Sequence, residues 1–181
     1  MEEILLHTCC APCSTHVTNI LSQKYVITAF FYNPNIQPKK EYDMRLSEIR
    51  RFCDRKKINL LVPEYDVQFW DKMIQGLEHE PEGGSRCRIC FEMRLQKVAE
   101  AARAQGLKKF ATTLTISPHK NELVINEVGG VVAQNTGLIF LDEDFKVNNG
   151  YKKSCDLSRM YALYRQKYCG CLYSIKMKDE R

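Results

Sequence analysis

Seven of the nine cysteines in this chain fall into three short groups: Cys9-Cys10-Ala11-Pro12-Cys13, Cys87-Arg88-Ile89-Cys90 and Cys169-Gly170-Cys171. Thiolates are soft ligands for zinc and for the irons of iron–sulfur clusters, and four of them complete either site. Three groups offer more sulfur than one metal ion uses, which favours redox chemistry over a purely structural zinc. Adjacent Cys9 and Cys10 fit a C-x-x-C zinc knuckle poorly and suit a larger cluster or two neighbouring metal centres. A closed four-thiolate zinc made by Cys9, Cys10, Cys87 and Cys90 is the competing structural reading. Cys169 and Cys171 can be bridged only if Gly170 lets the backbone turn tightly, and such a bridge would be strained and easily reduced. Otherwise these two thiols are further metal ligands. Cys53 and Cys155, single within helical patterns, read as small buried hydrophobes.

The elements that must position these thiols alternate along the chain. A strand at 4–6 precedes a helix at 14–23, and a β-branched and aromatic run predicts a strand at 26–32. Asn33-Pro34-Asn35 and Pro38 force a loop. Tyr42, Leu46, Ile49 and Cys53 recur at helical spacing through 41–57, ahead of a strand at 58–62. A short helix at 67–77 carries Trp70, and 80–84 is a turn. Phe91, Leu95, Val98, Ala99 and Ala102 form the apolar stripe of a helix that Gly106 closes. A strand at 110–116, a helix at 119–134 weakened by Gly129-Gly130, and a strand at 138–141 follow. A last helix at 153–168 runs directly into the Cys-Gly-Cys.

Strict alternation predicts an α/β fold, an open parallel sheet with helices on both faces, in one domain spanning 1–181. Ligands of such sheets bind beyond the carboxyl ends of the strands. Cys9 and Cys10 follow the first strand there, Cys13 opens a helix, and Cys87 and Cys90 precede another. Helix N-termini, with Arg86 and Arg88, are expected to favour the thiolate form.

Composition sets the bounds. With 181 residues, 44% hydrophobic and 27% charged, the chain can bury a core without disulfides. The acidic start Met1-Glu2-Glu3 is unlike a signal peptide, and no apolar run is long enough to span a membrane. The expected compartment is a reducing cytoplasm, where clustered cysteines serve metal or redox chemistry. The net charge of +5 is compatible with RNA. Basic clusters at Arg50-Arg51, Arg55-Lys56-Lys57, Lys108-Lys109, Lys152-Lys153 and the 176–181 tail read singly as solvated surface. Tyr161, Tyr164 and Tyr168 beside Arg165 strengthen the nucleic-acid reading. Neither a Walker loop nor a dinucleotide fingerprint is present. His7 reads as a packed strand residue, and His119, beside Lys120, as the histidine best placed to donate a proton.

Together these motifs resemble the cobalamin-independent epoxyqueuosine reductase family. The likeness rests on Leu5-Leu6-His7-Thr8-Cys9-Cys10-Ala11-Pro12-Cys13, Tyr32-Asn33-Pro34-Asn35-Ile36 and Gly83-Gly84-Ser85-Arg86-Cys87-Arg88-Ile89-Cys90-Phe91. It continues through Thr112-Thr113-Leu114, Ser117-Pro118-His119-Lys120, Gly150-Tyr151 and Tyr164-Arg165-Gln166-Lys167-Tyr168-Cys169-Gly170-Cys171. The resemblance implies a fold similar to the nucleotide α-hydrolase/PP-loop group, with the ATP loop replaced by the first cysteine group. It implies reductive removal of the epoxide oxygen of epoxyqueuosine at a tRNA wobble position, using a [4Fe–4S] cluster and an external electron donor. Neither cobalamin nor ATP is expected.

On this reading Cys9, Cys10, Cys87 and Cys90 hold the metal centre, with Cys13 an extra ligand. Cys169 and Cys171 supply electrons or complete a second site for an additional mononuclear iron. Asn33, Asn35, Arg45, Lys120, Tyr151 and Arg165 are the candidates for binding the splayed wobble base or its phosphates, while Tyr42 shares the core stripe of its helix. Two other functions compete. An iron–sulfur PP-loop tRNA thiolase would need a Ser-Gly-Gly-x-Asp-Ser loop where this chain has Cys-Cys-Ala-Pro-Cys-Ser, and a zinc-stabilised RNA-binding module would be colourless.

Overall fold

The structure, a computed structural model, describes residues 1–179, with side chains as far as Ile175. The side chains of the basic run at 176–181 lie outside them. Five parallel strands, β1 (Glu2–His7), β2 (Tyr25–Phe30), β3 (Asn59–Leu61), β4 (Lys109–Thr112) and β5 (Ile139–Phe140), form one sheet in the order β3-β2-β1-β4-β5. Helices α1 (Ala11–Leu21) and α2 (Lys39–Lys56) make the crossovers β1 to β2 to β3. Helices α3 (Val67–Met73) and α4 (Ser85–Ala104) lead to β4, α5 (Glu122–Thr136) leads to β5, and α6 (Gly150–Met160) and α7 (Leu172–Asp179) complete the chain. From β1 the chain winds outward one way to β3, then returns and winds the other way through β4 and β5. The reversal therefore lies between β1 and β4, where an α/β sheet opens a crevice.

Side-chain alternation along β1 builds both halves of the core. Leu5 faces one side with Phe30, Phe110 and Phe140, against Leu95 and Val98 of α4 and Ile125 and Val128 of α5. Ile4 and Leu6 face the other, with Ile27 and Ala111, against Val17 and Leu21 of α1. Further along that side, Ala29 and Phe31 meet Tyr42, Ile49, Phe52 and Cys53. Tyr42 is buried against Phe31 and Tyr65, as the apolar stripe of α2 requires. Gly129 has a purpose that outweighs its helix penalty of about 1 kcal/mol: a Cβ there would lie 2.3 Å from the Phe140 ring.

Four of the element boundaries that differ from expectation bear on the site. Helix α4 begins at Ser85, so Cys87 and Cys90 lie within its first turns rather than ahead of it. Helix α1 begins at Ala11, with Pro12 in its first turn, which places Cys13 inside it. β4 ends at Thr112 and gives way to a 3₁₀ turn at Leu114–Ile116. Helix α6 ends at Met160. There Ala162 adopts φ 51° and its N–H reaches the Arg159 carbonyl, while the Leu163 N–H reaches that of Ser158. This is a Schellman ending with alanine where glycine is usual, so nothing in the residue type announced it. Residues 161–171 are consequently an irregular strap rather than the end of a helix.

Candidate functional site

The tips of β1 and β4 meet at the reversal. The Cys9 backbone N–H donates to Thr113 Oγ1 at 3.3 Å, and the Thr113 hydroxyl in turn lies 3.6 Å from Cys9 Sγ. Buried His7 ties the same tips together, Nδ1 to Thr112 Oγ1 and Nε2 to the Tyr32 carbonyl. It is a packed strand residue. Beyond the tips the chain turns at once into α1, so the sulfurs of Cys9, Cys10 and Cys13 all lie within 4.8 Å of one another. Hydrogen bonds from Cys10 and Cys13 hold the Cys9 thiol well below its ordinary pKa, despite burial. Cys10 accepts a lowering contact from Cys13, but the neighbouring Cys9 sulfur and burial push it up to about 12. The trio thus favours one thiolate, on Cys9, supported by two thiols.

A cavity of about 360 Å³ opens above this turn. Cys9 and Cys13 floor it, and Lys120, Tyr151, Arg165, Gln166 and Cys169 wall it. A small neighbouring cavity, about 30 Å³, is lined by Cys87, Cys90, Cys169 and Cys171. The two share Glu82, Arg94, His119, Lys120 and Cys169 in their walls. All three cysteine groups therefore converge on one rim, but partition differently from expectation. Cys9 and Cys10 close on Cys13, whereas Cys87 and Cys90 face Cys169 and Cys171. All are free thiols.

The expected lowering of Cys87 and Cys90 does not occur. Burial raises Cys87, outweighing the Gly83 N–H that reaches its sulfur at 3.2 Å and the charge of Arg86. Burial likewise carries Cys90 up to about 12 against the pull of Arg94. Arg86 itself is buried and donates to the Leu77 and Glu78 carbonyls at 3.0 Å, so it braces the preceding turn. Arg88 points outward to a two-pronged contact with Glu127.

The strap owes its position to one face of α2. Arg45 is 2% exposed and ion-paired to Glu41 at 2.7 Å, and it donates to the carbonyls of Cys169 (3.0 Å) and Tyr168 (3.1 Å). Tyr164 donates through its hydroxyl to Glu41 and through its backbone N–H to Glu48. The Gln37 N–H takes the Gly170 carbonyl at 2.8 Å. Gln166, whose side chain the sequence reading did not single out, donates to Cys10 Sγ at 3.1 Å.

Among the expected substrate contacts, Lys120, Tyr151 and Arg165 line the larger cavity. Burial opposes the Lys120 charge, but the sulfurs of Cys169, Cys9 and Cys13 more than reverse this and raise its pKa. Arg165 reaches the Tyr151 hydroxyl at 3.3 Å and Ser158 Oγ at 2.9 Å. Asn33 and Asn35 are corrected: both are buried away from the cavity walls, and Asn33 donates to the Thr8 carbonyl at 2.9 Å to brace the chain after β1. Arg45 does line the cavity, but its donors are engaged by the strap. Cys53 is buried as expected, whereas Cys155 is only partly so. Arg94, in the middle of α4's apolar stripe, was not anticipated, because an arginine among Phe91, Leu95 and Val98 reads as the polar edge of a helix.

Six thiols around two adjoining cavities, with Cys10 beside Cys9 and a buried guanidinium in both walls, fit a thiolate-bound metal centre. The model of the family described as epoxyqueuosine reductase QueH matches residues 4–177. The chain belongs to that family. Curated relatives carrying the same description include one from Streptococcus pyogenes serotype M1, 44% identical over 97% of this chain and 71% of its own length. Another, from Thermotoga maritima, is 32% identical over 100% of this chain and 94% of its own. Among solved structures, the U34-tRNA thiolase NcsA of Methanococcus maripaludis with its [4Fe-4S] cluster superposes with a TM-score of 0.57 at 14% identity, over 96% of this chain and 62% of that one. A predicted tRNA methyltransferase subunit from Methanocaldococcus jannaschii gives 0.58 at 13% identity, over 86% and 74%. At such identities these likenesses establish the fold, an α/β parallel sheet shared with tRNA-modifying enzymes. Among the described residues, no helix is long and apolar enough to cross a membrane.

Proposed function

We propose that the chain, as one catalytic domain, reduces epoxyqueuosine to queuosine at the tRNA wobble position, in the cavity above Cys9 and Cys13. Family membership makes it an oxidoreductase of queuosine biosynthesis. The observation that supports the location is the meeting of six thiols from three distant segments around adjoining cavities, with Cys10 packed beside Cys9 and Cys13. Loss of the epoxide oxygen consumes two electrons and two protons and yields a cyclopentene and water. A [4Fe–4S] cluster with an adjacent mononuclear iron, when bound, supplies the electrons it receives from an external donor in the cytoplasm.

Cys9, Cys10 and Cys13 would hold one of these groups, and Cys87 and Cys90 the other. Cys169 and Cys171 either complete the second site or act as a dithiol electron store. Lys120 Nζ keeps its proton and directs a hydrogen bond to negative charge forming on the leaving oxygen. His119, exposed at the rim, is placed to deliver a proton. Tyr151 offers a stacking face and Arg165 a charge for the tRNA backbone. Anaerobically reconstituted, reduced protein incubated with epoxyqueuosine-containing tRNA should convert the nucleoside to one lighter by a single oxygen, read by mass spectrometry of the digest. Iron and sulfide should accompany the active protein. An unaltered nucleoside, or stoichiometric zinc in colourless protein, would refute the reading.

A further inference from the structure

Among the described residues three arginines are fully buried, and two of them are anchored by several hydrogen bonds. Arg45 pairs with Glu41 and two carbonyls, and Arg86, although its Nε has no partner, gives its Nη1 to the carbonyls of Leu77, Glu78 and Glu80. Arg94 is different. It is 2% exposed, its Nε donates to the Cys90 carbonyl at 3.0 Å, and its Nη2 is buried with no hydrogen-bond partner. Among the described residues it has no ion pair with a carboxylate. A guanidinium does not give up its proton in a protein, so it cannot escape the cost of burial by neutralising. A fixed, under-satisfied cation in a wall shared by two cavities implies that something anionic belongs beside it.

Position on the helix narrows the choice. Residues three and four apart on a helix share a face, so Cys87, Cys90 and Arg94 form one row on α4, with the guanidinium one turn beyond the second thiol. Its plane is kept in place by the Phe91 ring, 5.8 Å away, and by the Cys90 carbonyl. A phosphate of the tRNA would instead meet the outer rim, where Arg165, Lys167 and His119 line the wider cavity. The charges facing Arg94 are Lys120, which repels it, and Glu82, an exposed carboxylate of the opposite turn that makes no ion pair with it. The remaining groups that can carry negative charge are the sulfurs, once they bind a metal.

We propose that Arg94 is the built-in counter-charge of the thiolate-bound metal centre, and that it raises the centre's reduction potential from its fixed place behind Cys90. This rests on the reading that these cysteines hold iron. A cluster ligated by thiolates is net negative, and each added electron makes it more so. A fixed positive charge beside it would therefore stabilise the reduced form more than the oxidised one. Arg94 is on this account a positioning residue for charge: it neither ligates nor transfers a proton, and it raises the share of centres that hold an electron at a given potential.

The test compares wild type, Arg94→Gln and Arg94→Lys, all reconstituted anaerobically. Iron and sulfide are assayed first, and then the centre is titrated with dithionite under EPR, one electron entering per cluster with no change in bonding or protonation. The expected result is iron-loaded Arg94→Gln with its midpoint shifted negative. At the wild-type midpoint its reduced-to-oxidised ratio should fall about tenfold, equivalent to roughly 59 mV for a one-electron couple. Arg94→Lys should recover most of the shift. Loss of iron from Arg94→Gln alone, with Arg94→Lys loaded, also supports the proposal, since charge is then what assembly requires. An unchanged midpoint in fully loaded Arg94→Gln overturns it and leaves the iron reading standing. So does loss of iron from both variants, which would assign Arg94 to packing. Iron-free wild-type protein would defeat the iron reading and this inference together.

Discussion

The first and third cysteine groups reach the same rim by opposite means. Cys9, Cys10 and Cys13 are placed by backbone: a strand end, an immediate helix start and a proline that suits the first turn. Cys169 and Cys171 sit in irregular chain and are placed by side chains, chiefly Arg45, Glu41 and Glu48 on α2. Backbone placement makes a rigid site that tolerates loss of its neighbours. Placement by side chains makes one that depends on residues far from the chemistry.

That contrast can be broken most decisively at the rigid end. Cys9→Ser or Cys13→Ser should abolish nucleoside conversion and cut the iron content to what Cys87 and Cys90 hold, while Cys53→Ser, buried elsewhere, should leave both intact. An undiminished iron content in Cys9→Ser would show that the turn is not a ligand site. At the strap, Arg45→Ala should cost about 3–5 kcal/mol of stability in urea unfolding, because it strands Glu41 as a buried charge. Replacing the pair together, Arg45→Met with Glu41→Leu, should recover most of that stability while leaving the strap unanchored and activity low. If the double variant is fully active, the strap does not need α2.

Smaller effects sharpen the same distinction. Gly170 has φ 117°, and a Cβ there would lie 2.9 Å from Ile36 Cγ1 and 3.2 Å from Arg45 Nη1. Gly170→Ala should therefore cost about 1–3 kcal/mol and raise the alkylation rate of Cys169. Gln166→Leu removes the strap's hydrogen bond to Cys10 and should weaken iron retention about 10–100-fold, measured by competition with a chelator. The mildest check concerns Cys53, whose pKa burial pushes up to about 12. In native protein at pH 8 it should resist iodoacetamide while Cys155 reacts, and a labelled Cys53 would mean that the packing of α2 on the sheet is looser than described.

The same division explains what the sequence disclosed. All five strands were legible because Leu5, Phe30, Phe110 and Phe140 lie in β-branched or aromatic runs with turn residues between them. Their parallel pairing followed from the intervening helices. The thiol groups were legible as chemistry because their spacing is local. How they partition was not, since Cys13 joins Cys9 and Cys10 through the exact start of α1, and Cys87 meets Cys169 only in space. The strap was misread as helix because Ala162 terminates α6 in a conformation that glycine usually signals. Asn33 and Asn35 looked like recognition residues because loop asparagines commonly are, and their burial, Asn33 against the chain just after β1, is a tertiary fact. Arg94 was hidden by its neighbours, for a lone charge in an apolar stripe gives no sign of which way it faces.

The site's two walls are separated by most of the chain's length. During synthesis the first cysteine turn leaves the ribosome long before Cys169 and Cys171 exist, so a centre that draws on both is finished only after all five strands have been made. The cell has to keep Cys9 and its partners from oxidising throughout that interval.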